Sequence, residues 1–139
     1  MADNRTIVEQ YLLAMSKNDI EAQERLLSDD FVEEYPQSGE RIRGKDNRRG
    51  IIENYPGGTP QEASESGPSP KPPVITGAGD RFTATGQINP NGETWHAISL
   101  IEIRDGKINK LTSYFAAPFE APAWRAPYVE KAAAGAQAR

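Results

Sequence analysis

Residues 91–117, NGETWHAISLIEIRDGKINKLTSYFAA, constrain the fold more than any other part of the chain, because two strand-like apolar runs flank Arg104-Asp105-Gly106-Lys107. Asp-Gly between alternating β-branched and aromatic residues is a strong hairpin signal, since glycine accepts the positive φ that a tight turn requires. Within 95–103 both alternating sets are largely apolar: Trp95, Ala97, Ile101 and Ile103 on one side, Ile98 and Leu100 on the other. A sheet apolar on both faces needs two covers. Helices supply one. A second copy of the chain is the expected other, because the C-terminal tail is too short to mask a whole face.

Upstream, Ile7, Val8, Tyr11, Leu12 and Met15 recur at helical spacing, and Thr6 with Glu9 reads as a capping box, so a helix is expected over about 4–17. Asn18-Asp19 breaks and recaps the chain, and Ile20, Gln23, Leu26 and Leu27 continue a second short helix as far as Ser28-Asp29-Asp30. Residues 31–35 read as a strand ended by Pro36, which lacks a ladder donor. Residues 37–40 read as a loop, and a third helix is expected near 45–55 with Ile51, Ile52 and Tyr55 on its apolar side. Six of the eleven prolines fall in 56–73, which therefore reads as a long irregular loop, either a lid or an unstructured insertion. Strands follow at 74–78 and 82–88, and Asn89-Pro90-Asn91-Gly92 turns the chain into the hairpin. The tail, PFEAPAWRAPYVE, should run extended, with Trp124 clamping it down, and residues 131–139 should fray. One domain over 1–130 accounts for all of these elements.

Composition narrows the chemistry. The 139 residues include no cysteine and one histidine, so thiolate nucleophiles, disulfides and multi-histidine metal sites are excluded within one chain. No metal and no cofactor is expected. A formal net charge of −4 opposes binding to a phosphate backbone, and no apolar run approaches the roughly 20 residues that span a bilayer. Neither nucleic acid nor membrane is an expected partner. A cysteine-free chain whose first residues do not form a secretory signal is expected in the cytoplasm.

Helix, helix, short acidic strand, helix and then a curved antiparallel sheet is an order that resembles the nuclear transport factor 2-like superfamily. The chain is similar to its small bacterial SnoaL-like and ketosteroid-isomerase-like members. The likeness covers about 4–117 and rests on VEQYLLAMSKNDIEA, DDFVEEYPQSGERIRGKD and ISLIEIRDGKINKLTSYF, with PFEAPAWRA resembling SnoaL-like tails. It implies an α+β, cone-shaped barrel in which helices pack on the sheet and leave an apolar pocket, and it implies a homodimer. In ketosteroid isomerase a strand carboxylate moves a proton while a helix tyrosine and a sheet aspartate donate hydrogen bonds to the oxyanion. By resemblance Tyr11 matches the helix tyrosine. Glu34 falls at the base position if the strand is aligned without a gap, Tyr35 if Pro36 is the anchor. Ser99 stands where the sheet aspartate would be, and Ala116 or Ala117 where SnoaL-like cyclases carry an aspartate.

The candidates are weighed against plainer roles. Glu34, flanked by Val32 and Tyr35, is the expected base, and Glu33 takes its place if the register slips by one residue. Tyr11 is the expected hydrogen-bond donor, although a tyrosine on a helix stripe is also ordinary core. His96 is the candidate proton shuttle, or a structural residue beside Trp95. Tyr35, Tyr55, Trp95 and Ser99 are the expected substrate contacts. The basic group Arg41, Arg43, Lys45, Arg48 and Arg49 reads as the solvated start of a helix, or as a steering patch for an anion. The leading expectation is a protein that binds a small, largely apolar or mixed-polarity metabolite, acting as a cofactor-independent isomerase, cyclase or hydratase. The rival is a non-catalytic association domain.

Overall fold

The computed structural model describes residues 3–59 and 72–131. The first helix, α1 (Asn4–Ser16), lies where expected, over about 4–17, but its cap is Asp3 rather than Thr6, and the Asp3 carboxylate accepts from the Thr6 amide at 2.8 Å. The carboxylate satisfies a backbone donor that the first turn leaves orphaned. Asn18 then takes a positive φ of 54°, and Asp19 caps α2 (Ile20–Leu26) by accepting from Ala22 N at 3.0 Å.

The first strand, β1 (Leu27–Tyr35), begins four residues before the expected Phe31. The supposed loop at 37–40 is a tight turn whose last residue opens β2 (Glu40–Arg43), which pairs antiparallel with β1 in the register Glu33 to Ile42. α3 (Gly44–Glu53) follows, then β3 (Val74–Ala78), β4 (Arg81–Ile88), β5 (Trp95–Arg104) and β6 (Lys107–Ala116). The loop expected at 56–73 falls outside the described residues from 60 to 71, as does the fraying expected beyond 131.

Six strands form one curved, open sheet in the order β2-β1-β6-β5-β4-β3. All neighbours are antiparallel except β1 and β6, which run parallel. At the hairpin turn Asp105 and Gly106 have φ of 52° and 75°, the left-handed values that a two-residue loop between right-twisted strands requires. In β6, Lys110 pairs with Glu102 while Ile108 pairs with Ile103, so Asn109 is bulged out. The bulge resets the alternation and turns both Ile108 and Leu111 inward. Gly77 is needed between β3 and β4, since a Cβ there would lie 2.4 Å from the Arg81 carbonyl oxygen.

Ile7, Val8 and Tyr11 of α1 pack on Leu27 and Phe31 of β1, Phe82 of β4, Ile101 and Ile103 of β5, and Ile108 and Leu111 of β6. Each such aliphatic or aromatic side chain contributes about 1.5–3 kcal/mol by leaving water. This is the inner face of the sheet, and α3 closes over its β1–β2 end. The tail behaves differently from the expected clamp: residues 123–128 form a 3₁₀ turn, and Trp124 stands 72% exposed with the Arg125 guanidinium 5.7 Å from its ring. Among the described residues no helix is long and apolar enough to cross a membrane.

Candidate functional site

Strand alternation places the polar groups. In β1, Phe31 is 1% exposed, and two residues on Glu33 is 8% exposed, so both side chains enter the interior with Tyr35 after them. Glu33 pairs with Leu111 in the parallel ladder, and its Oε2 accepts from Ser113 Oγ at 2.7 Å. Ser113 lies opposite Ser99, with the two hydroxyls 3.2 Å apart. Burial pushes the Glu33 carboxyl above the usual carboxylate range, against the pull of the Ser113 hydrogen bond and the Arg48 charge.

Across the interior, Arg48 of α3 is 5% exposed. Its Nη2 donates to Tyr11 Oη at 2.8 Å and Gln23 Oε1 at 2.7 Å, and lies 3.3 Å from Met15 Sδ. Gln23 completes the cluster by donating to the Ala14 carbonyl at 3.3 Å. Burial pushes the Tyr11 phenol up to about 12 although the Arg48 charge draws it down, so it stays protonated near neutrality. Because its oxygen accepts from Arg48, its own proton is left to donate elsewhere. Arg48 Nη1 is buried with no hydrogen-bond partner.

Tyr35 stacks edge-on to Phe115 with centroids 5.5 Å apart, and burial pushes its phenol up, with Glu33 adding to the effect. Trp95 shares the inner parity of β5 with Ser99, is half-buried, and donates from Nε1 to Glu93 at 3.3 Å. Tyr55 is half-buried just beyond α3, close enough to bias the Tyr35 phenol. Tyr11, Tyr35 and Ser99 are thus gathered around one interior, and the carboxylate they meet is Glu33.

Glu34 and His96 take the opposite face. Glu34 Oε2 accepts from Arg41 Nη2 at 2.7 Å and Nε at 3.0 Å, and its Oε1 pairs with Lys110 at 2.9 Å. Those two cations hold its carboxyl below the usual range. His96 is exposed between Gln87 and Ala116. The sequence read Val32 and Tyr35 as the surroundings of Glu34, but Val32 and Tyr35 lie on opposite faces. Buried Phe31 is the residue that sets the parity. Arg48 leaves the basic group read as a solvated helix start or a steering patch: it is buried, and Ile52 and Tyr55 follow it at four and seven residues, the spacing of one helix stripe.

Among the described residues no group of three or more histidine, aspartate or glutamate side chains could hold a metal ion. A surface cleft of about 360 Å³ between α2 and α3 is lined by Glu21, Glu24, Arg25 and Lys45 and shares no residue with the buried cluster.

A family model described as a SnoaL-like domain matches residues 8–111. Among solved structures, an NTF-2 like protein of unknown function from Burkholderia xenovorans LB400 is 32% identical, with 93% of this chain and 94% of that chain covered and a TM-score of 0.72. A protein from Kribbella flavida DSM 17836, provisionally named a ketosteroid isomerase, is 20% identical over 94% of this chain and 90% of its own, with a TM-score of 0.72. TerC, co-crystallized with polyporic acid, is 17% identical over 82% of this chain and 92% of its own, with a TM-score of 0.64. At such identities the last two share the fold. No curated protein matches the chain.

Proposed function

The chain belongs to the SnoaL-like domain family, and on that premise we propose that it binds a small organic metabolite and acts on it as a cofactor-independent isomerase, cyclase or hydratase, with Glu33 as the base. One observation carries this reading: a carboxyl buried on the inner sheet face, held by a single hydroxyl, opposite an Arg48–Tyr11 pair. A carboxylate with a raised pKa accepts a proton from carbon more readily near neutral pH than an ordinary glutamate would. In the proposed step Glu33 removes a proton beside a carbonyl, Tyr11 donates to the oxygen on which charge develops, and Glu33 returns the proton at a new position. Tyr35, Trp95 and Tyr55 would bound the carbon skeleton, and Ser99 would steady Ser113. The structure of TerC with polyporic acid supports a small-molecule role. A chain without cysteine suits a reducing cytoplasm, where we place its work.

The test needs no known substrate. Deuterium uptake from solvent into a panel of cyclic ketones and 1,3-diketones, followed by NMR, should be accelerated by the wild-type chain. Glu33→Gln should lower that acceleration by about 10²–10⁴-fold, whereas Glu34→Gln should leave it near wild type. Full exchange activity in Glu33→Gln would remove the base from this assignment.

A second reading concerns assembly. Ile98 and Leu100 are each 40% exposed and Tyr114 is 37% exposed on the outer face, with Ile98 and Tyr114 directly paired across β5 and β6. We propose that this patch seats a second copy of the chain. Light scattering at micromolar concentration should give twice the monomer mass, and Leu100→Glu should return it to one; a monomeric wild type sinks the dimer.

A further inference from the structure

The guanidinium of Arg48 has one end bound and one end orphaned. Nη2 is occupied by Tyr11 Oη and Gln23 Oε1, both uncharged oxygens, while Nη1 is buried without any acceptor. Among the described residues Arg48 forms no ion pair with a carboxylate, although its neighbours on the same helix find theirs: Arg49 with Glu24 at 2.7 Å and Lys45 with Asp29 at 3.5 Å. Folding tolerates a buried charge when something neutralises it, and orphaned buried donors are rare enough to call for a cause. The Arg48 charge bears on two acids, but Glu24 is already paired with Arg49, and Glu33 is driven by its own burial toward the uncharged form and is a weak counter-ion.

We propose that Arg48 Nη1 anchors an anionic oxygen of the ligand, a carboxylate or an ionised enol, so that the occupant of this interior is a small organic acid rather than a neutral apolar metabolite. The inference deepens the reading above and rests on the interior being a ligand site. A planar fork suits a delocalised oxyanion, because the same guanidinium that Tyr11 and Gln23 orient through Nη2 presents its free N–H groups in a fixed plane. The charges balance in both forms of the ligand. A carboxylate binds with Glu33 protonated, whereas an enolisable ketone enters neutral and becomes the enolate as its carbon-bound proton passes to Glu33. In the second case Arg48 would stabilise charge where it develops and Tyr11 would donate beside it. The aromatic pair Tyr35 and Phe115, on the inner face beyond Glu33, gives such an acid a ring-sized wall.

Calorimetric titration with benzoate and with 5,5-dimethylcyclohexane-1,3-dione, each against its neutral methyl ester or enol ether, tests the anchor. Wild type should prefer the acid of at least one pair by about tenfold or more, the worth of one charge-assisted hydrogen bond. Preference for benzoate alone marks a carboxylate ligand, and preference for the dione alone marks an enol. Arg48→Met should erase the preference, and Arg48→Lys should keep part of it. Should Arg48→Met fail to fold, the Arg48 guanidinium NMR signals of the wild type must move with the acid and stay still with its neutral counterpart. Equal binding of acid and neutral form, no binding of either acid at millimolar concentration, or an intact preference in Arg48→Met overturns the anchor. Acid preference together with undiminished deuterium exchange in Glu33→Gln keeps the anchor and removes the base; the reverse pattern keeps the base and removes the anchor.

Discussion

Glu33 and Glu34 are joined by one peptide bond and live in opposite chemistries. Glu33 faces the core, touches one hydroxyl and is pushed toward neutrality by burial; Glu34 faces outward between Arg41 and Lys110 and is held ionised. The residue type is the same, so the difference comes from strand parity and from what each face offers. The inner face offers Phe31, Ile101 and Leu111, all but sealed from water, with α1 and α3 above them. The outer face offers paired ions beside the half-exposed Ile98, Leu100 and Tyr114. In this strand the carboxyl pushed toward neutrality is the one whose alternation partner is the sealed Phe31, and the one held ionised is the one that alternation turns toward Arg41 and Lys110.

The largest expected effect that would break the two-face picture is on stability. Phe31→Ala should cost about 3–5 kcal/mol, through lost transfer energy and the cavity left behind. Ile98→Ala, on the outer face, should change the stability of the isolated chain by less than about 1 kcal/mol. Urea denaturation at low protein concentration reads both, because dilution removes any contribution from a second copy. Equal costs at the two positions would mean that the outer face is sealed within a single chain, and the tail would then be the natural cover.

Much of the fold was legible because its strongest signals are local. Asp105-Gly106 sets its own turn, and Ile7, Val8 and Tyr11 declare a buried stripe whatever they pack against. β2 was not legible, since Glu40, Arg41 and Arg43 have no strand preference and become a strand only by pairing with β1. The parallel contact of β1 with β6 joins residues nearly eighty apart, which no local pattern encodes. Tyr11 and the ambiguity between the two glutamates were visible; the choice between them required the parity that Phe31 fixes. Arg48 was hidden because cations beside cations look solvated, and its burial depends on Tyr11 and Gln23 arriving from α1 and α2.

The smallest expected effect is also the most direct comparison of the two carboxyls, and its sign is opposite at the two positions. The folded Glu33 has a pKa above its ordinary 4.5, so below that value both folded and unfolded chains are protonated and it has no influence. As pH rises the unfolded chain ionises first, and stability falls until the folded carboxyl ionises too. Glu33→Gln removes that loss, so the variant should match wild type in acid and become the more stable of the two towards neutrality. Glu34 has its pKa lowered by Lys110 and Arg41, and its stabilisation is present above the ordinary value and lost as pH falls. Glu34→Gln should therefore be the less stable at neutral pH and converge with wild type in acid. Denaturation curves of the three chains from about pH 2 to pH 8 check both arms. If Glu33→Gln were the less stable at neutral pH, Glu33 would be an ionised, well-paired group in the native protein, and the contrast between the two faces of β1 would reduce to one of solvent exposure.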